Sequence, residues 1–246
     1  MKKIAVVTGA GRGIGFSIAE ALLNDGFTVV GLDIDGVQLH KTTKVFLERG
    51  LTFDGLEADL TAAEAVKERF KTIAERYGGL DVLVNNAGTC LMSDFLEITP
   101  EELARQTAIN FDSAFYCTQE SIKLMLERPG FKKIINISSN GAYNFEVFDP
   151  LHYRTSKASL DTMTKHLARQ YATEKICVNS IAPAMTQTDL FDVVSPEVLA
   201  EAIAGMPHGV PMQPSQVAAW VAFLASPAGN ICSGNVIILN QGRDVR

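Results

Sequence analysis

Seven short β-branched runs recur along the chain: residues 3–8 (KIAVVT), 27–33 (FTVVGLD), 51–57 (LTFDGLE), 81–86 (DVLVNN), 133–138 (KIINIS), 176–181 (ICVNSI) and 235–240 (NVIILN). They are nearly continuous in apolar residues, the pattern of strands buried on both faces. Between them, apolar positions recur at helical spacing, as in IGFSIAEALLNDG, TAAEAVKERFKTIAERYGG and the long PEELARQTAINFDSAFYCTQESIKLMLERPG. Gly26, Gly78 and Pro129–Gly130 mark helix stops. Thr61 followed by Glu64 predicts a capping box. Strand–helix alternation repeated this way predicts an α/β fold: a doubly wound, mostly parallel sheet of seven strands with helices on both faces.

Neither a linker nor a low-complexity segment nor an internal repeat interrupts the pattern, so residues 1–246 are expected to form a single domain. The stretch from about 184 to 214, rich in Met, Pro and Gly, is expected to be an irregular substrate loop or lid. Charge narrows the partners. A net charge of −6 argues against nucleic acid and anionic membrane surfaces. The basic start is followed by too short an apolar run for a signal peptide, and no stretch approaches a membrane span, which predicts a cytoplasmic protein. Cys90, Cys117, Cys177 and Cys232 form no CxxC pair, and the four histidines have no metal-ligand spacing, so free thiols and no metal are expected.

Candidate chemistry begins where the first strand meets TGAGRGIG. Gly9, Gly13 and Gly15 are spaced G-x-x-x-G-x-G, with Arg12 and Ile14 inside the turn. Glycines there allow a tight turn and close approach of the backbone to a pyrophosphate, and the helix N-terminus adds free N–H groups and positive dipole. The second strand ends at Asp33, placed to accept hydrogen bonds from adenosine ribose hydroxyls and to repel a 2′-phosphate. No Lys or Arg occurs between 26 and 40, so NAD is favoured over NADP, with Arg12 the nearby cation. Asp33 can also be read as the start of a turn with Asp35 and Gly36.

Two tyrosines precede a lysine by four residues: Tyr153–Lys157 in YRTSK and Tyr171–Lys175 in YATEK. On a helix either pair would share a face. Tyr153 follows the strand KIINIS and its loop, so it falls at the carboxyl ends of the strands, where open α/β sheets bind ligands. Tyr171 lies about 27 Å further along at 1.5 Å per residue, toward the opposite edge of the sheet. The first pair is therefore read as catalytic and the second as structural.

With TGAGRGIG, NNAG (85–88) and YRTSK in order, the whole chain resembles the short-chain dehydrogenase/reductase family of the ordinary, roughly 250-residue type. The resemblance implies a Rossmann-type fold and hydride transfer between NAD(H) and a secondary alcohol or ketone. Tyr153 would be the general acid/base, its phenol lowered by Lys157 and the cofactor. Lys157 would also bind the nicotinamide ribose. Ser139 would hold the substrate oxygen, with Ser138 as the neighbouring alternative, and Asn110 would support a water relay to the lysine. The same resemblance assigns Asp59 and Leu60 to the adenine end and Asn86, Ala87 and Gly88 to the turn flanking the cofactor. It assigns Pro183, Met185 and Thr188 to the nicotinamide end. The pattern departs at Ala184, where a glycine is usual, and in ILNQGRD near the C-terminus. Phe145, Phe148, Met185 and Phe191 are candidate substrate contacts, together with Tyr143, Val147, His152, Met206 and His208, and point to a largely uncharged small molecule. Arg154 is the one nearby cation in this reading. A homotetramer or dimer is implied. The alternatives are an NADP-linked 3-oxoacyl-thioester reductase and a non-catalytic nucleotide sensor.

Overall fold

The computed structural model describes residues 2–145, 149–188, 191 and 194–243. All seven predicted strands are present: β1 Ile4–Thr8, β2 Thr28–Asp33, β3 Phe53–Glu57, β4 Val82–Asn85, β5 Lys132–Ile137, β6 Ile176–Pro183 and β7 Val236–Leu239. Every pairing is parallel, in the order β3-β2-β1-β4-β5-β6-β7. The chain winds outward from β1 through β3, then returns to place β4 on the other side of β1. That reversal leaves a crevice at the carboxyl ends of β1 and β4.

Alternate residues of each strand feed two cores. In β1, Ala5 and Val7 join one cluster with α1 (Gly13–Asn24), α2 (Gly36–Glu48) and α8 (Pro214–Ala225). Ile4 and Val6 join the other, with α3 (Ala63–Tyr77), α5 (Ser113–Leu126) and α6 (Leu151–Gln170). Phe46 is fully buried, stacked at 4.8 Å on Phe16 and tilted at 5.1 Å against Phe53. Burial of both strand faces explains why the strand runs are unbroken in hydrophobicity.

One polar seam crosses the second core. Asn85, Asn136 and Ser180 are register partners on β4, β5 and β6. Asn85 Nδ2 donates to Asn136 Oδ1 at 2.8 Å and to Thr118 Oγ1 of α5 at 2.9 Å. Asn136 Nδ2 donates to Thr164 Oγ1 of α6 at 2.8 Å, and Thr164 meets Ser180 Oγ at 2.7 Å. These bonds fix the lateral register of the strands and helices that carry the site.

Four local expectations are corrected. The long helical stretch after Pro100 is α4 (Pro100–Thr107), a π-helical turn (Ala108–Asp112) and then α5. The capping box does not form: Ala62 is the N-cap of α3, and Thr61 Oγ1 donates instead to Asp59 Oδ1 at 2.7 Å. The 184–214 segment is not irregular throughout, since α7 (Pro196–Ala204) runs through it, capped by Ser195. Tyr171 and Lys175 do not share a helix face, because α6 ends at Gln170 and Lys175 has a φ of 58°. No helix among the described residues is long and apolar enough to cross a membrane, and no group of three His, Cys, Asp or Glu among them could hold a metal.

Candidate active site

A cleft of about 880 Å³ opens at the carboxyl ends of the strands. At one end stands the glycine turn. Gly9 and Gly13 have φ of 62° and 56°, the left-handed region that favours glycine. A Cβ on Gly15 would collide with the Gly9 carbonyl oxygen, so the turn closes on itself only without that side chain. Arg12, the N-cap of α1, offers no side-chain cap, which leaves the first N–H groups of the helix open toward the cleft.

Asp33 sits at the end of β2 on the cleft wall. Its Oδ2 accepts from Gly11 N at 2.9 Å and its Oδ1 from Asp35 N at 3.0 Å. The turn reading is met, with the same carboxylate on the cleft wall, and Asp35 in turn caps α2 through Gln38 N. Gly11 falls on an x of the motif and escaped it. Thr42 Oγ1 and Gln38 Nε2 donate to its carbonyl at 2.7 and 3.1 Å, tying the glycine turn to α2.

Across the crevice the NNAG turn is bolted to β1. Thr8 Oγ1 accepts from both Asn86 N and Ala87 N at 2.9 Å, and Asn86 Nδ2 donates to the Thr8 and Gly9 carbonyls at 2.9 and 3.1 Å. Asn86, Ala87 and Gly88 line the cleft, as do Ile14, Asp59, Leu60, Pro183, Met185 and Thr188. These residues fit a nicotinamide dinucleotide: an elongated cleft, a collapsed glycine turn at a helix N-terminus and an acidic residue at the second strand.

At the other end Ser139, Tyr153 and Lys157 line the same cleft, and Asn110 buttresses it from the π turn. The two serines separate cleanly. Ser138 Oγ donates inward, to Asp161 Oδ2 at 2.9 Å and to the Lys157 carbonyl at 3.2 Å. Ser139 Oγ accepts from Gly141 N at 3.0 Å, and its hydroxyl is hydrogen-bonded to the Tyr153 phenol on the cleft wall. Asn110 is fully buried; its Oδ1 accepts from Thr89 N at 2.8 Å and its Nδ2 donates to Thr89 O and Ser156 Oγ at 2.9 and 3.1 Å. Lys157 Nζ donates to the Ile137 carbonyl at 2.9 Å and lies 6.0 Å from the Tyr153 ring centre. It shares the space over Gly88 with Asn110: a Cβ there would stand 3.1 Å from Nζ and 3.2 Å from Oδ1.

Burial dominates the electrostatics at this end of the cleft. The Tyr153 phenol is raised, chiefly by burial and further by the Asp149 carboxyl, while the Ser139 hydroxyl beside it pulls the other way. Burial lowers the Lys157 ammonium to about 8, against the opposing pull of Asp161 and Cys90. Asp161, one turn beyond Lys157 on α6, is raised by burial despite hydrogen bonds from Tyr143, Ser180 and Ser138.

The substrate contacts divide. Met185, Phe191 and Met206 line the cleft. Phe145 does not: it is 71% exposed, with the Arg154 guanidinium 5.3 Å from its ring centre. Phe148 and Val147 lie outside the described residues. Tyr143 donates to Asp161 Oδ2 at 2.8 Å rather than facing the cleft, and His208 is exposed beside a second, smaller cavity. His152 turns away from Tyr153 and sets Nε2 2.9 Å from Glu102 Oε1. Arg154 is buried, its guanidinium donating to the backbone carbonyls of Asp149, Gly141 and Asn144, so it is no substrate cation. Two arginines missed in the sequence do line the cleft, Arg105 and Arg243, whose guanidinium groups make no hydrogen bond or ion pair with a described residue. Both stand outside every motif, which is why spacing did not reveal them. Cys90 and Asp149 also line the cleft.

A parallel sheet with a cleft at its switch point, a glycine turn and a Ser–Tyr–Lys wall defines a nucleotide-dependent oxidoreductase. A family model described as Enoyl-(Acyl carrier protein) reductase matches residues 9–244. The chain is 32% identical over 241 residues to a 3-oxoacyl-[acyl-carrier-protein] reductase of Aquifex aeolicus, covering 98% of this chain and 96% of that one. It is 31% identical over 255 residues to a diacetyl reductase [(S)-acetoin forming] of Staphylococcus epidermidis, covering 98% of each. Among solved structures, an actinorhodin polyketide ketoreductase with NADPH superposes with a TM-score of 0.91 at 30% identity, covering 98% of this chain and 97% of that one. A Pseudomonas aeruginosa RhlG/NADP complex superposes with a TM-score of 0.92 at 29% identity, covering 98% and 96%. The chain belongs to the short-chain dehydrogenase/reductase family and is an oxidoreductase acting on CH–OH and ketone groups of small molecules.

Proposed function

We propose that the chain is an NAD-linked dehydrogenase/ketone reductase for a secondary alcohol or ketone, with Tyr153 as general acid/base. The observation that carries this reading is the convergence of Ser139, Tyr153 and Lys157 on one wall of a cleft whose far end holds the glycine turn and Asp33. Gly9, Gly13, Gly15 and the α1 N-terminus would hold the pyrophosphate, Asp33 the adenosine ribose, and Pro183, Met185 and Thr188 the nicotinamide end. When bound, the dinucleotide supplies or accepts the hydride.

The remaining chemistry belongs to the chain. Ser139, hydrogen-bonded to the Tyr153 phenol, would turn its hydroxyl to the substrate oxygen and orient that oxygen toward Tyr153. Tyr153 takes the proton from an alcohol or returns it to a ketone. A phenol raised by burial is a reluctant base, so a nearby positive charge is needed to favour phenolate. Lys157 would supply one, and its ammonium, close to Asn110 over Gly88, would pass protons between the phenol and water. Exposed apolar side chains on and before α4 and α5 (Phe95, Leu96, Phe115) and on α8 (Trp220, Phe223) support a homo-oligomer.

The cofactor preference rests on Asp33, whose carboxylate would repel a 2′-phosphate. NADP is the second reading, favoured by Arg12 on the cleft wall and by the NADPH and NADP of the two structural relatives. Titration with NADH and with NADPH at fixed salt, followed by nicotinamide fluorescence, tests it. Tighter binding of NADH is expected; tighter binding of NADPH would overturn the Asp33 argument.

A further inference from the structure

One carboxyl group on the cleft wall has no part in the chemistry so far. Asp149 stands four residues before Tyr153 and lines the cleft. Its backbone carbonyl holds Arg154 Nε at 2.7 Å, but its carboxyl has no hydrogen bond or ion pair with any described residue. Burial holds the acid above the ordinary carboxylate range, with Arg154 pulling the other way. Its charge in turn raises the Tyr153 phenol and the Cys90 thiol, so it acts on the space between them. The carboxyl is partly exposed to the cleft, so its open acceptors can be met by a molecule bound there.

Gly141 indicates where that partner sits. A Cβ on Gly141 would collide with the Asp149 carboxyl and stand 3.2 Å from Ser139 Oγ. The missing side chain brings the Asp149 carboxyl and the Ser139 hydroxyl to the same small space. Ser139, whose hydroxyl meets the Tyr153 phenol while its Oγ accepts from Gly141 N, marks with that phenol the donor side of this space, and Asp149 offers acceptors. A donor and an acceptor side by side match two neighbouring oxygens, one reacting and one a hydroxyl. An ammonium is the poorer match, because the cleft already carries Lys157, Arg105 and Arg243.

We propose that Asp149 is a substrate-positioning residue that accepts a hydrogen bond from a hydroxyl on the carbon next to the reacting one, so that vicinal diols and the matching α-hydroxyketones are the preferred substrates. The inference rests on Ser139 and Tyr153 being the reacting centre. The second hydroxyl is neither oxidised nor lost; the reaction remains the two-electron alcohol–ketone exchange.

Matched pairs test it: 2,3-butanediol against 2-butanol, 1,2-cyclohexanediol against cyclohexanol, and 1-phenyl-1,2-propanediol against 1-phenyl-1-propanol, each with NAD and with NADP. In the wild type, kcat/KM should favour the diol of a pair by roughly 10- to 150-fold, the range of a hydrogen bond to a charged group. In Asp149→Ala the ratio should collapse toward one, and Asp149→Asn, which keeps an acceptor oxygen, should retain part of it. A folding defect lowers both members of a pair alike and leaves the ratio, so the ratio isolates the hydrogen bond. Tyr153-dependent turnover with no diol preference, or a preference that survives Asp149→Ala, would overturn the proposal while leaving the reading of the centre intact. Turnover of neither member of any pair would overturn both.

Discussion

Replacing Lys157 by Met removes a buried ammonium and keeps an unbranched apolar stem. Lys157 is 5% exposed, and burial lowers its pKa from 10.5 to about 8. The unfolded chain therefore holds this proton more tightly than the folded one. A base whose folded pKa is depressed subtracts stability at pH values below about 8 and restores it as the pH rises toward its unfolded value. This is the reverse of a lysine whose partner raises its pKa. At 1.36 kcal/mol per unit, the stability restored between pH 7 and pH 10 is roughly 2 to 3 kcal/mol. Lys157→Met has no such titration. It also leaves the Ile137 carbonyl without its donor, a loss that does not vary with pH. The stability of the wild type minus that of the variant should therefore climb by roughly 2 to 3 kcal/mol across this window. Urea denaturation of both proteins without cofactor, in half-unit steps of pH, measures it. A difference that is flat to within about 0.5 kcal/mol, or that falls with pH, would refute the claim that burial outweighs Asp161 at this lysine.

Two further changes probe the scaffold. Phe46→Ala opens the aromatic stack between α1, α2 and β3 and should lower unfolding stability by about 3 to 5 kcal/mol in a denaturant titration. Gly15→Ala drives a Cβ into the Gly9 carbonyl, so it should cost about 1 to 3 kcal/mol of stability and weaken NADH binding in the same fluorescence titration.

The strands were legible because both faces of the sheet are buried, so each run stayed apolar from end to end. Asn85, Asn136 and Ser180 sit inside three of those runs, yet their joint role depends on strand order and register, which no single run contains. The Tyr153–Lys157 pair was legible because four residues on a helix define a common face. Tyr171–Lys175 has the same spacing but falls beyond the end of α6, with Lys175 Nζ 5.8 Å from the Phe131 ring centre before β5. The π turn at Ala108–Asp112 was hidden because apolar spacing continues through it, although it is the turn that carries Asn110. Thr61 followed the capping pattern but found a nearer acceptor in Asp59. Arg105, Arg243 and Asp149 come from three separate segments and meet only across the cleft, while Phe145 looked like a pocket residue and faces outward. Residues that act through local spacing could be read in advance; residues that act through convergence could not.

The central claim is that Tyr153 moves the proton. Turnover of the wild type, Tyr153→Phe and Tyr171→Phe, with a secondary alcohol that the wild type oxidises and saturating cofactor, tests it most directly. Tyr153→Phe should lose roughly 10²- to 10⁴-fold in kcat, and Tyr171→Phe should stay near the wild type. Near-normal turnover by Tyr153→Phe would contradict the account, whatever Tyr171→Phe does.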